Sequence, residues 1–268
     1  MSNKVFLITG STDGIGKLTA TDLARKQQGA TIIIHGRNSE KLELTKREIQ
    51  KSSGNPKIET LLADFSSMNE VRNMAEEILS KHASIDILIN NAGAGFAAPR
   101  YGKDGTETRF AVNYLAPFLL TRLLIPALKQ AFRARIVNVA SAGQSPIHFE
   151  DIMLEKKFDG ITAYTQSKMA IIMYTMDLAE ELLPNHITVN CLHPGTYLDT
   201  GMVREAGISP MGTAQSGADA IVYLATSPDL NNITGKYFNV KKETRANAQA
   251  YDLNARKKLN AIGLELTS

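Results

Sequence analysis

Short, almost continuously apolar runs alternate along the chain with longer segments of helical periodicity. Residues 5–8, 31–34, 58–62, 85–89, 135–139 and 187–192 read as strands, and 237–240, after Gly235, as a last one. The runs lack the in–out alternation of a half-exposed sheet. That is the pattern of parallel strands covered on both faces. Helical stretches fall between them, roughly 15–28, 39–52, 67–81, 105–132 and 163–183. Repeated strand–helix–strand order predicts an α/β fold, a doubly wound parallel sheet of about seven strands with helices on both faces. No linker or internal repeat divides residues 1–268, so one domain is expected. Residues 144–160 break the rhythm as an excursion near one sheet edge. The tail from 241 is polar, with a short surface helix expected over 246–259.

Two of the helices are apolar on more than one side. One carries Phe110, Val112, Leu115, Phe118, Leu119, Leu120, Leu123 and Leu124. The other carries Met169, Ile171, Ile172, Met173, Tyr174 and Met176. A surface helix needs only a stripe. Both are expected to be deeply buried and, in addition, to cover a face in a homodimer or homotetramer.

Charge narrows the partners. Lys plus Arg is 30 and Asp plus Glu is 27, a net charge of +3, too small to argue for nucleic acid or an acidic membrane surface, and neither is expected as a partner. Hydrophobic residues at 43% and charged residues at 21% are an ordinary globular balance. Cys191 is the single cysteine, so no internal disulfide forms. It lies in an apolar run and reads as a buried, inert thiol. With no secretory leader and no apolar stretch that reads as a membrane anchor, a reducing, cytoplasmic setting is expected. Asn232-Ile233-Thr234 is then a chance glycosylation match. His148, Glu150 and Asp151 lie close together but read as a solvated loop, and no metal site is expected.

The first strand runs into Thr9-Gly10-Ser11-Thr12-Asp13-Gly14-Ile15-Gly16 and then into a helix. Glycines there permit a tight turn and close approach to a phosphate, and the helix start adds free N–H groups facing a pyrophosphate. Glycine patterns alone are common in ordinary turns; the position straight after the first strand gives this one weight. The second strand ends Ile34-His35-Gly36-Arg37-Asn38. A carboxylate at this point would bind the ribose hydroxyls of NAD, whereas an arginine suits the 2′-phosphate of NADP. Gly36 stands where an acid would, and Arg37 follows, so NADP(H) is favoured and NAD(H) stays open. Asp13 opposes the choice mildly. Asp64, before Phe65, is placed to accept from an adenine amino group or to help start the next helix. Asn90-Asn91-Ala92-Gly93 ends the fourth strand with small residues that would let a cofactor lie against the sheet edge.

Tyr164 and Lys168 are four residues apart and share a helix face. A phenol with a pKa near 10 is a poor acid–base catalyst at neutral pH; a nearby ammonium lowers it. Taken alone, the spacing is more often an idle surface pair. Ser141, just past the fifth strand, can hold a substrate oxygen beside Tyr164. Asn113 precedes Pro117 by four residues. The proline cannot donate to the Asn113 carbonyl, which predicts a kink and a water site near Lys168.

In this combination the chain resembles the short-chain dehydrogenase/reductase family. The residues that carry the resemblance are Thr9-Gly10-x-x-x-Gly14-x-Gly16, Asn90-Asn91-Ala92-Gly93, Asn113, Ser141, Tyr164-x-x-x-Lys168 and Pro194-Gly195. It implies a Rossmann-type fold and an Asn–Ser–Tyr–Lys tetrad. Tyr164 would exchange the proton, Ser141 orient the substrate oxygen, Lys168 lower the tyrosine pKa and hold the ribose, and Asn113 support a water relay. Cofactor contacts are implied at Gly10, Ser11, Thr12, Gly14, Ile15, Gly16, Arg37, Asn38, Asp64, Phe65, Asn91, Ala92, Gly93, Tyr164, Lys168, Pro194, Gly195 and Thr196. The gap from Ser141 to Tyr164 is longer than usual in the family and resembles the branch of retinol dehydrogenases and related carbonyl reductases. Asp199 holds the place of the usual threonine after Pro-Gly, and Thr200 follows. The expected activity is an NADP-preferring oxidoreductase that interconverts a carbonyl and an alcohol. Phe96, Phe149, Tyr197, Met202 and Met211 suggest a lipophilic aldehyde, ketone or alcohol as substrate. The alternatives are a dinucleotide-binding sensor or scaffold without turnover and, less favoured, a sugar-nucleotide epimerase.

Overall fold

In the computed structural model, which describes residues 4–268, the apolar runs become one sheet of order β3-β2-β1-β4-β5-β6-β7-β8. β1 (Val5–Ile8), β2 (Thr31–Gly36), β3 (Ile58–Leu62), β4 (Ile87–Asn90), β5 (Arg135–Val139), β6 (Thr188–His193) and β7 (Lys236–Asn239) are parallel. β8 (Lys242–Thr244) adds an antiparallel edge. The expected single α/β domain is thus present with one strand more. The turn between β7 and β8 includes Val240 at φ 57, so the sharp reversal follows a strand that the sequence pattern carries one residue too far.

Helices cover both faces: α1 (Gly14–Lys26), α2 (Ser39–Ser53), α3 (Met68–Lys81), α4 (Thr108–Phe110), α5 (Ala116–Gln130), α6 (Gly160–Leu182), α7 (Gly201–Glu205), α8 (Ala214–Thr226) and α9 (Leu253–Leu266). Successive strand residues face opposite ways. Leu7, Ile33 and Leu88 pack with Leu120, Leu124 and Met173 on one side. Phe6, Ile8 and Ile34 pack with Leu23, Ile49 and Ile221 on the other. Neither α7 nor α8 stands out in the sequence pattern. A crossover between the parallel strands β6 and β7 nonetheless requires an element of this size.

The helical stretch expected over 105–132 is divided. Between α4 and α5, Ala111–Leu115 form a π turn in which the Ala116 N–H reaches back to the Ala111 carbonyl. Pro117 has no N–H to give Asn113, so the anticipated kink takes the form of a wider turn. Such turns recur at functional sites, and this one carries Asn113. The segment Thr108–Gln130 is long and apolar enough to cross a membrane by composition, but 72% of its most apolar window is buried in the fold.

Part of the apolar surface of α5 and α6 is covered by α9. Tyr114 Oη donates to the Leu259 carbonyl at 3.1 Å. A side chain on Gly263 would begin 2.6 Å from Tyr114 Oη and 3.1 Å from Phe118 Cζ. Buried Arg256 pairs with Asp177 at 3.1 Å and Glu180 at 3.0 Å. The helix expected at 246–259 on the surface is α9, shifted towards the C-terminus, with Leu259 in the core. Thus α9 buries Tyr114 and Phe118 within the chain.

Candidate active site

The order of strands reverses where β2 and β4 flank β1, which opens a crevice at their carboxyl ends. The glycine turn lies there. Gly10 has φ 63, and a Cβ on it would lie 2.6 Å from Ala92 Cα. Gly16 is tighter still: a Cβ would overlap the Gly10 carbonyl oxygen and Asn91 Nδ2. Asn91 Nδ2 donates to the carbonyls of Thr9 and Gly10, both at 2.9 Å, and Thr9 Oγ1 accepts the N–H groups of Asn91 and Ala92 at 3.0 Å. Asn91 and Ala92 therefore hold the turn in shape, and Gly93 is left open beside the crevice.

Several expected cofactor residues turn out to build the cradle. Ser11 is buried; its hydroxyl donates to the Ile8 carbonyl at 2.8 Å and accepts the His35 N–H at 2.9 Å, so that hydroxyl faces the sheet. Ile15 reaches towards Gly217 of α8. Asn38 caps α2 by accepting the Lys41 N–H at 2.9 Å. Asp64 Oδ1 accepts the N–H and hydroxyl of Ser66 at 2.9 and 2.8 Å, with Lys103 3.5 Å from Oδ2. Burial works against its ionised form, but Ser66 and Lys103 together hold the carboxyl below its ordinary value. Phe65 is buried and stacks on His35 with ring centroids 4.2 Å apart.

His35 escaped the sequence reading. Its Nδ1 accepts the Gly10 N–H at 3.1 Å, and its Nε2 lies 3.0 Å from the Ala63 carbonyl. That arrangement requires a neutral ring protonated on Nε2. Burial brings its pKa down from 6.5 to about 4. A histidine inside an otherwise apolar strand was the available signal.

At the end of β2, a Cβ on Gly36 would lie 2.5 Å from Thr12 Cγ2, so the turn leaves no room for an acid there. Arg37 is exposed beside it. Asp13 caps α1, its Oδ1 accepting the Gly14 N–H at 2.7 Å; the carboxylate is committed to the helix start.

The proposed chemistry groups converge one strand further on. Lys168 is buried and donates to the Val139 carbonyl at 2.9 Å. Burial lowers its pKa to about 8. A Cβ on Gly93 would lie 3.5 Å from Lys168 Nζ and 3.3 Å from Asn113 Oδ1. Asn113 is a clip. Its Oδ1 accepts the Ala94 N–H at 2.8 Å, and its Nδ2 donates to the Ala94 carbonyl at 3.1 Å and to Ser167 Oγ at 2.8 Å. Ser167 passes the link to the Tyr164 carbonyl at 2.7 Å. Ser141 is fixed from behind, its carbonyl accepting from Tyr237 Oη at 3.0 Å. Its Oγ accepts the Gly143 N–H at 3.0 Å.

Tyr164 is half-buried, and burial pushes its phenol above 10 while the Ser141 hydroxyl pulls the other way. Lys168 Nζ lies 5.8 Å from the tyrosine ring centroid and is directed at the β5 carbonyl. The lysine does not contact the phenol directly in this arrangement, and burial holds the Tyr164 hydroxyl above its ordinary value.

The segment after β6 spans the crevice. Gly195 has φ 140, and a Cβ on it would lie 2.9 Å from Leu198 Cδ2, while Pro194 is buried. The Thr196 hydroxyl lies 3.1 Å from Nε2 of His193. Asp199 pairs with Arg204 on the outside, and it is Thr200 whose methyl lies 3.2 Å from a Cβ on Gly14. Met202 reaches the other side, its Cε 3.7 Å from a Cβ on Gly93. Of the expected pocket residues, Phe96 contacts Tyr164 with ring centroids 4.5 Å apart. Phe149 instead packs on the core under Lys258, and Met211 is 74% exposed. Cys191 is inert as expected, its thiol pushed up to about 12 by burial. No cluster of metal-ligating side chains occurs among the described residues.

Comparison with known proteins agrees with this architecture. The sequence model of the family described as short chain dehydrogenase matches residues 4–209. Retinol dehydrogenase 13 of Mus musculus is 35% identical, covering 96% of this chain and 81% of its own. An uncharacterised protein from Mycobacterium paratuberculosis superposes with a TM-score of 0.79 at 28% identity, over 98% of this chain and 93% of that one. A short chain dehydrogenase from Shigella flexneri, solved in complex with NADP, gives a TM-score of 0.70 at 26% identity, over 90% and 98%.

Proposed function

Because this chain belongs to the short-chain dehydrogenase family, and is thereby an NAD(P)-dependent oxidoreductase, we propose that it prefers NADP(H) and reduces a lipophilic aldehyde or ketone to its alcohol with Tyr164 as proton donor. The observation that carries the reading is the convergence of Lys168 Nζ and Asn113 Oδ1 beside the open Gly93, with Tyr164 and Ser141 across the same crevice. The residues fit a dinucleotide. The glycine turn, bare of side chains at Gly10, Gly14 and Gly16, is held in shape by the side chains of Asn91 and Thr9, its helix start offers free N–H groups, and Lys168 uses one of three donors on Val139.

When bound, the nicotinamide supplies the hydride that reaches the carbonyl carbon. The chain's own groups manage the oxygen. Ser141 Oγ donates to the substrate oxygen and orients it. Tyr164 Oη, kept protonated by burial, delivers its proton as negative charge develops there. Lys168, with a pKa near 8, stays mostly cationic at neutral pH and keeps donors beside Gly93 for the cofactor. Gly36, kept free of an acid by Thr12, and the exposed Arg37 support the preference for a 2′-phosphate. The NADP complex of the Shigella flexneri relative is consistent with it. The name of the mouse relative and the contact of Phe96 with Tyr164 support an apolar substrate.

Loss of NADPH absorbance with a panel of apolar aldehydes and ketones tests the reading. Tyr164→Phe should lose about 10²–10⁴ in kcat and still bind NADPH. Equal turnover in that variant overturns the mechanism. Arg37→Glu should reduce the preference for NADPH over NADH; an unchanged preference overturns the cofactor assignment.

A further inference from the structure

Arg109 and Glu107 are each 1% exposed and pair at 2.7 Å. The guanidinium also collects three carbonyls from one short loop: Pro99 on Nη1 at 3.2 Å, and Phe96, at 2.8 Å, and Ala98 on Nη2. As a stabilising device this is poor, because Arg109 Nε is buried without a partner and a buried ion pair can often be replaced by apolar side chains at no cost. Apolar side chains cannot gather three carbonyls, however. A loop without regular structure turns its carbonyls inward only where a donor meets them, and the Phe96 ring is left against Tyr164, edge-on at 62°.

The surroundings fix this arrangement against the reaction centre. Gly160, which opens the helix carrying Tyr164, has room for no side chain: a Cβ would lie 3.0 Å from the Phe96 carbonyl and 3.7 Å from Arg109 Nη2. The other Glu107 oxygen accepts the Phe110 N–H at 2.7 Å and caps α4, just before Asn113. The Phe158 ring lies 5.4 Å from the Arg109 guanidinium and 4.9 Å from that of Arg100, which donates to the Leu154 carbonyl at 3.2 Å. The loop after β4 and the excursion after β5 are joined into one unit. Met202 packs on the same loop, its Cγ 2.5 Å from where a Gly95 side chain would start.

We propose that Phe96 is the specificity-determining residue of this site and that Arg109 is the positioning residue that holds it against Tyr164. The proposal rests on Tyr164 as the proton donor. A carbonyl oxygen brought to Tyr164 Oη places its neighbouring carbons in the slot beside the Phe96 ring. The slot takes an apolar chain that is unbranched next to the carbonyl and resists branching there.

The test compares hexanal with 2-ethylhexanal, using NADPH and the full chain. The wild type should prefer hexanal in kcat/KM. Phe96→Ala should lower that preference about tenfold, chiefly through KM, with the dissociation constant of NADPH unchanged. Arg109→Lys keeps the charge but not the fork and should move the preference the same way. Should Arg109→Lys fail to fold, Phe158→Ala removes the ring shared by both arginines and takes its place. An unchanged preference in Phe96→Ala overturns the role of Phe96. A changed preference there with none in Arg109→Lys or its substitute overturns the role of Arg109. A wild type inactive on both aldehydes, or Tyr164→Phe at full activity, overturns the underlying reading and the proposal with it; neither result resembles an altered ratio.

Discussion

Acidification should unlatch the dinucleotide turn through His35. In the folded chain the ring must stay neutral, because Nδ1 accepts the Gly10 N–H and Nε2 is left to donate to the Ala63 carbonyl. A second proton on Nδ1 would set one donor against another. The folded pKa of about 4 lies below the ordinary 6.5, so between these values the unfolded chain binds more protons. Stability from this group is complete above pH 6.5 and falls as pH drops towards 4. The difference of about 2.5 pH units, at 1.36 kcal/mol each, amounts to about 3 kcal/mol, a sizeable part of the stability of an ordinary domain. Urea unfolding of the wild type and His35→Asn at several pH values from 7.5 to about 4.5 isolates the effect, since the carboxylates titrate in both. His35→Asn should be the less stable protein at neutral pH and the less acid-sensitive one. Most of the difference in slope should appear below pH 6. Parallel stability profiles for the two proteins would refute the argument.

Three further outcomes follow from the packing. Gly16→Ala forces a Cβ into the Gly10 carbonyl and Asn91; it should abolish measurable NADPH binding and cost about 1–3 kcal/mol of stability, read by cofactor fluorescence and urea unfolding. Gly36→Asp, designed to recruit NAD, should instead weaken both dinucleotides, because its Cβ would press on Thr12 Cγ2; tighter NADH binding would contradict this. Leu259→Ala, in the buried face of α9, should cost about 2–5 kcal/mol. It should also loosen the cover over Tyr114 and Phe118, seen as faster amide exchange in α5 and α6.

The strand runs and the glycine turn were legible because their signals are local. A buried parallel strand needs an apolar run, and the turn needs glycine where Gly10 meets Ala92. Asn113, Ser141, Tyr164 and Lys168 were legible as residue types at suggestive positions, and the fold gathers them at one crevice. The β8 hairpin was missed because its three residues, Lys242–Thr244, are polar and pair at an edge. Helix α8 was required by the parallel pairing of β6 with β7 more than it was announced by its own residues.

The sequence by itself determined the α/β order, the dinucleotide turn and the four groups of the proposed chemistry, since each depends on spacing within one element or one turn. Tertiary structure alone decided where those groups point and what they touch. It turned the Ser11 hydroxyl inward to His35, aimed Lys168 at Val139 in place of Tyr164, closed α9 over Tyr114 and placed Phe96 against Tyr164 through Arg109. Most of these contacts join residues tens of positions apart, up to Tyr114 and Leu259. Which of several polar partners a side chain meets depends on how the elements pack, and the spacing of residues within one element carries no record of that.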